Sequence, residues 1–185
     1  MYLAPKEIVD ASVYIATSLD GFIARENGEL DWLPLAGGSA GEDYGYETFI
    51  KTVDAVVMGR RTYEKVLTFG HWPFGQRSVV VLSSSPIEFP ASVPSTVESM
   101  SGKPSDILAR LEARGHRHVY VDGGATIQRF LEAGAIQRLI ITRVPVLIGS
   151  GLPLFGRLPH DVRLKHVRTR DWPSGMVQSE YTVVS

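Results

Sequence analysis

Short all-apolar runs alternate with amphipathic stretches along most of the chain. Val13-Tyr14-Ile15-Ala16 reads as a buried strand that ends at Ser18-Leu19-Asp20-Gly21, with Phe22-Ile23-Ala24 behind it. Ala55-Val56-Val57-Met58, Val79-Val80-Val81-Leu82, Val119-Tyr120-Val121 and Leu139-Ile140-Ile141-Thr142 are runs of the same kind. Such runs mark strands covered on both faces. Between them the period lengthens. Tyr46, Phe49, Ile50 and Val53 recur at i, i+3, i+4 and i+7, which predicts a helix over about Glu42 to Thr52. Arg61 to Leu67 reads as a helical turn. Ser105 is expected to cap a helix that turns Ile107, Leu108 and Leu111 inward and stops at Gly115. Thr126 to Ala133 is expected to pack Ile127, Phe130 and Leu131 before stopping at Gly134. Pro34 to Gly41 and Gly70 to Gly75 read as loops, and the prolines of Pro86 to Pro104 restrict that stretch to loop or edge strand. Leu164 to Val167 and Gln178 to Val183 read as antiparallel strands, with Pro173-Ser174-Gly175 near their turn. Strands alternating with helices imply an α/β fold with a mainly parallel sheet and an antiparallel C-terminal edge.

Composition narrows the function. At 185 residues the chain fits a single domain, and 44% hydrophobic with 21% charged residues is the balance of a soluble globular protein. The formal net charge is −1 and like charges do not cluster, so neither nucleic acid nor an anionic membrane is expected as the main partner. Cysteine is absent, which excludes disulfides, thiolate catalysis and cysteine-ligated zinc. The five histidines show no metal-ligand spacing. Met1 to Asp10 lacks the apolar core of a signal peptide, and no apolar stretch approaches the ~18 residues of a membrane span. A cytoplasmic enzyme or binding protein is the expectation.

Three segments at strand ends carry candidate chemistry. Gly59-Arg60-Arg61-Thr62 follows an apolar strand and opens a helix, where outward N–H groups and the helix dipole favour an anion. Its two guanidinium groups can fork onto phosphate oxygens, and Thr62 adds a hydroxyl. Ser83-Ser84-Ser85 offers hydroxyls suited to a ribose 2′-phosphate, which would select NADP over NAD. Asp122-Gly123-Gly124-Ala125-Thr126 is a glycine turn with room for a pyrophosphate at a helix start. Each also has a plain structural reading, as surface arginines, a loop start and a tight turn. Neither the G-x-G-x-x-G fingerprint nor the G-x-x-x-x-G-K-[ST] loop occurs. For proton chemistry, Asp43 and Glu47 lie four residues apart on one helix margin and Asp20 sits in the first turn, so the candidates are these three or solvent.

The order and setting of these segments resemble the dihydrofolate reductase superfamily, and within it the RibD C-terminal branch, which includes the riboflavin-pathway reductase. The resemblance runs from Val13 to about Val183. It is carried by Ala16-Thr17-Ser18-Leu19-Asp20-Gly21, by Val57-Met58-Gly59-Arg60-Arg61-Thr62-Tyr63-Glu64, and by the stretch from Thr142 to Phe155 with its Ile148-Gly149-Ser150-Gly151 centre. It implies a three-layer α/β/α fold and an NADPH-dependent reductase of a small heterocyclic or ribosylaminopyrimidine substrate. Dihydrofolate reduction and non-catalytic NADP binding are the alternatives. By the same resemblance, Gly59 to Thr62 and Gly123, Gly124, Ala125 and Thr126 would hold the cofactor diphosphate. Arg60, Arg61, Ser83 and Ser84 would surround the 2′-phosphate, and Ala16 and Ile23 would meet the nicotinamide. Glu26 to Trp32 looks like the loop that closes over it, and Trp32, Phe49 and Thr142 would contact substrate. Gly45 stands where dihydrofolate reductases keep a helix acid, which favours a pyrimidine-type substrate. Family analogy adds a homodimer.

Overall fold

A computed structural model describes residues 9–33 and 42–184. The expected loop Pro34 to Gly41 and the stretch before Val9 lie outside the described residues. The strands are β1 (Asp10–Ser18), β2 (Phe22–Ala24), β3 (Ala55–Gly59), β4 (Ser78–Leu82), β5 (Val97–Met100), β6 (His118–Asp122), β7 (Arg138–Val144), β8 (Leu152–Pro153), β9 (Leu164–Asp171) and β10 (Val177–Val183). The helices are α1 (Tyr46–Lys51), α2 (Arg60–Leu67), α3 (Pro104–Ala113) and α4 (Gly124–Glu132).

Eight strands share one sheet in the order β5-β4-β3-β6-β1-β7-β10-β9, and β2 pairs with β8 beside it. From β5 to β7 every pairing is parallel; β10 is antiparallel to both β7 and β9. Side chains alternate across the sheet and supply both layers. Val57, Val80 and Val121 face Ile107 and Leu111 of α3 and Ile127 and Phe130 of α4. Val56, Val79, Val81 and Tyr120 face Phe49 and Ile50 of α1 and Tyr63 and Val66 of α2. The result is the three-layer α/β/α fold that the family resemblance implied. At the antiparallel edge, Arg138 and Arg168 both donate to Glu180, at 2.7 and 2.6 Å, joining three strands.

Three helix starts differ from the sequence expectation. Helix α1 begins at Tyr46 rather than Glu42, because Tyr44 (φ 55) and Gly45 (φ 92) are both left-handed and no helix continues through them. Helix α3 opens with Pro104 in its first turn after Lys103, so Ser105 lies inside the helix rather than capping it. Helix α4 starts at Gly124, two residues before Thr126.

Candidate functional site

Parallel strands deliver their C-terminal ends to one edge, and that edge holds most of the predicted site residues. Strand β1 pairs with β6 only from Asp10 to Ser12, against His118 to Tyr120. Beyond that point β1 stays with β7 as far as Ser18, and β6 stays with β3 as far as Asp122. The two halves of the sheet therefore part, leaving a slot between Ala16 and Asp122. At its root the Tyr120 hydroxyl donates to the freed Tyr14 carbonyl at 2.9 Å.

The glycine corners meet beside this slot. A Cβ on Gly59 would lie 3.0 Å from Thr126 Oγ1, one on Gly123 would run into the Thr62 hydroxyl, and one on Gly124 would lie 2.7 Å from Ile23 Cδ1. Three segments far apart in sequence thus pack backbone against side chain with no room to spare. Gly59 and Gly123 are the N-cap residues of α2 and α4, and neither helix has a side-chain cap. Uncapped first-turn N–H groups of both helices are available to an anion. Glycine alone allows the two helix starts to approach this closely, and their paired N–H groups suit the diphosphate expected of a dinucleotide.

At the exit of β4, Arg60 donates to Ser85 Oγ and to the Pro86 carbonyl, both at 3.0 Å, and lies 3.7 Å from Glu64. Ser83 Oγ closes its own turn, donating to the Ser85 carbonyl at 2.7 Å and accepting from the Ser85 N–H. Ser84 and Arg61 are exposed. The hydroxyl that touches Arg60 is thus that of Ser85, the one member of the Ser83-Ser84-Ser85 run that the family resemblance did not name for the 2′-phosphate.

The three carboxylates singled out from sequence are engaged elsewhere. Asp20 accepts from the N–H groups of Gly149 at 2.8 Å and Ile148 at 3.3 Å. The Ser18 hydroxyl and those N–H groups hold its carboxyl below the usual range. Asp43 accepts from the N–H groups of Glu47 at 2.6 Å and Gly45 at 2.9 Å, which keep it ionised to lower pH than an ordinary aspartate. Glu47 is exposed and faces Lys51 one turn on. The carboxylate that does border the slot is Asp122. It shares a face with Tyr120, lies near Tyr46, and accepts from the Gly123 N–H at 2.8 Å. Desolvation raises its pKa to about 6. The signal for it in sequence is an acid ending an otherwise apolar strand directly before a glycine pair.

On the α1 face next to the slot lies a polar floor. Ala16 is in register with Thr142, and Thr142 with Gln178. Gln178 Nε2 donates toward Thr142 Oγ1, Tyr14 Oη and the Tyr44 carbonyl, and the Tyr14 hydroxyl donates to the same carbonyl at 2.7 Å. Burial raises the Tyr14 pKa to about 12. Phe49 is sealed beneath this floor, stacked on Tyr14 at 4.8 Å and edge-on to Tyr120 at 5.2 Å. Trp32 closes the Arg25–Asp31 ion-paired loop, with its indole N–H buried and unpartnered among the described residues.

The family model described as RibD C-terminal domain matches residues 12–178. Bacillus subtilis YwjB, an uncharacterised protein, is 37% identical over 163 residues, spanning 86% of this chain and 90% of that one. A Shewanella sp. PV-4 crystal structure, provisionally named for riboflavin biosynthesis, is 38% identical with a TM-score of 0.89 and covers 96% of this chain and 100% of its own. The dihydrofolate reductase of Enterococcus faecalis, solved with NADP(H), shares the fold at 18% identity and a TM-score of 0.69, covering 97% of this chain and 98% of its own.

Proposed function

The chain belongs to the RibD C-terminal domain family, and on that premise we propose that it is an NADPH-dependent reductase acting on a C=N or C=O carbon of a ribosylaminopyrimidine. The observation that carries this reading is the meeting of Gly59, Thr62, Gly123 and Thr126 between two uncapped helix starts, with Arg60 alongside. NADPH, when bound, supplies the hydride.

The protein's residues do the rest. Backbone N–H groups at Gly59 to Thr62 and Gly123 to Thr126 hold the diphosphate. Arg60, with Ser85 beside it, takes the 2′-phosphate, a charge-assisted contact that NADH cannot make. Ala16 and Ile23 flank the nicotinamide and keep water from it. Asp122 is half-protonated near pH 6 and only half-buried, so it can give a proton to the substrate heteroatom as the carbon accepts hydride, then recover one from solvent. Asp122 takes this role because Asp20 and Asp43 are committed to backbone N–H groups and Glu47 to solvent. Dihydrofolate ranks behind the pyrimidine because α1 aims no carboxylate at the slot.

The test is loss of NADPH absorbance on mixing with 5-amino-6-(5-phosphoribosylamino)uracil, and separately with dihydrofolate. Oxidation with the pyrimidine supports the reading. Faster oxidation with dihydrofolate overturns the substrate, and binding of NADPH with turnover of neither overturns the enzyme assignment in favour of an NADP-binding protein.

A further inference from the structure

The polar floor carries a requirement on what the substrate presents. Ala16, Thr142, Gln178 and Arg170 are successive register partners across β1, β7, β10 and β9. Strands lie about 4.8 Å apart, so the Gln178 backbone is about 10 Å from that of Ala16, within reach of one heterocycle held at the slot.

The Gln178 amide has a single workable orientation. Its Nε2 lies 2.9 Å from Thr142 Oγ1, 3.0 Å from Tyr14 Oη and 3.1 Å from the Tyr44 carbonyl. The Tyr44 carbonyl can only accept, and the Tyr14 proton already goes to it. Turning the amide over would set oxygen against oxygen at both. Oε1 therefore points away from this cluster. It has no hydrogen-bond partner among the described residues, yet it is not sealed from solvent, although Gln178 as a whole is only 8% exposed. The left-handed Tyr44, an uncommon conformation for tyrosine, is what turns that carbonyl toward the amide. Three groups thus fix one side chain and leave one acceptor atom unused.

We propose that Gln178 Oε1 is the specificity-determining acceptor of the site and selects a substrate that presents a ring or exocyclic N–H. The class is a neutral lactam or aminopyrimidine. A cationic ring would instead call for a carboxylate, and an N-alkylated ring would leave Oε1 without its donor. The proposal rests on the reductase reading for the placement of the substrate at the slot.

The experiment is calorimetric titration of the protein–NADP+ complex with 5,6-diaminouracil and with its 1,3-dimethyl derivative. The wild type should prefer the unmethylated ring by about tenfold or more, the direction expected of a site built around a hydrogen bond. Gln178→Met should bind the two rings within about twofold of each other while binding NADP+ as the wild type does, which shows that the fold and the cofactor corners are intact. Gln178→Glu, protonated so that its O–H meets the Tyr44 carbonyl, keeps an outward acceptor and should keep the preference. Absence of a preference in the wild type, its persistence in Gln178→Met, or its loss in Gln178→Glu with NADP+ binding intact overturns the proposal. Failure of the reductase reading looks different: the wild type then takes up no NADP+, or binds NADPH and oxidises it with neither substrate, whatever its preference between the two rings.

Discussion

In the proposed reaction, Asp122 sets activity against stability. An aspartate in an unfolded chain titrates near pH 4, whereas desolvation raises this one to about 6. The folded protein therefore holds the proton more tightly than the unfolded chain. Below about pH 4 both states are protonated and burial carries no electrostatic penalty; the penalty grows between about pH 4 and 6 and is complete above that. A difference of about two units corresponds to roughly 3 kcal/mol at most. Asp122→Asn should accordingly raise the melting temperature at pH 8 and leave it nearly unchanged at pH 4. The same variant should lower turnover by about a hundredfold or more, and wild-type turnover should decline as pH rises through 6. Thermal melts across pH, set beside rates, check both signs; a stabilised variant with unchanged turnover would remove Asp122 from the chemistry. The sequence offered Asp20, Asp43 and Glu47 because acids near a turn or on a helix margin are visible as spacing. Their diversion to the Gly149, Glu47 and Gly45 N–H groups and to Lys51 depends on loops folding back, which spacing does not carry.

At the scale of elements, the proposed cofactor cradle is two helix starts pressed together. Gly123 has φ +90, and a Cβ there would meet the Thr62 hydroxyl. Gly123→Ala should cost about 1–3 kcal/mol of stability and weaken NADPH binding by about tenfold or more. Gly115 has the same φ of +90 with nothing within 4 Å of an added Cβ. Gly115→Ala should therefore lose stability without losing NADPH, and a fluorescence titration of both variants separates strain from cradle closure. Sequence periodicity found the buried faces of α1, α3 and α4 correctly, with Phe49, Ile50, Ile107, Leu111, Ile127 and Phe130 all inside. It misplaced the helix starts, because these depend on backbone conformation at Tyr44 and Gly45, and on Pro104 and Gly124, rather than on apolar spacing.

For the whole molecule, the site exists because the sheet divides. β1 leaves β6 after Ser12 while keeping β7 to Ser18, and the slot, Asp122 and the row of Ala16, Thr142 and Gln178 follow from that parting. The alternation of apolar runs and helices made the parallel sheet and its antiparallel edge legible from the chain, and the strand-end motifs marked the glycine corners that pack together beside the slot. The point where pairing stops leaves no mark in a strand that is apolar on both sides of it, so the slot and its acceptor Gln178 were not legible. In the proposed function, the strand-end corners form one pocket for the phosphates of NADPH. Calorimetric titration of the wild type and Arg60→Ala with NADPH and with NADH measures this most directly. NADPH should bind one-to-one and tighter than NADH, with a preference that collapses by about tenfold or more in Arg60→Ala while NADH affinity holds. No saturable uptake by the wild type, or equal losses of both nucleotides in the variant, would contradict it.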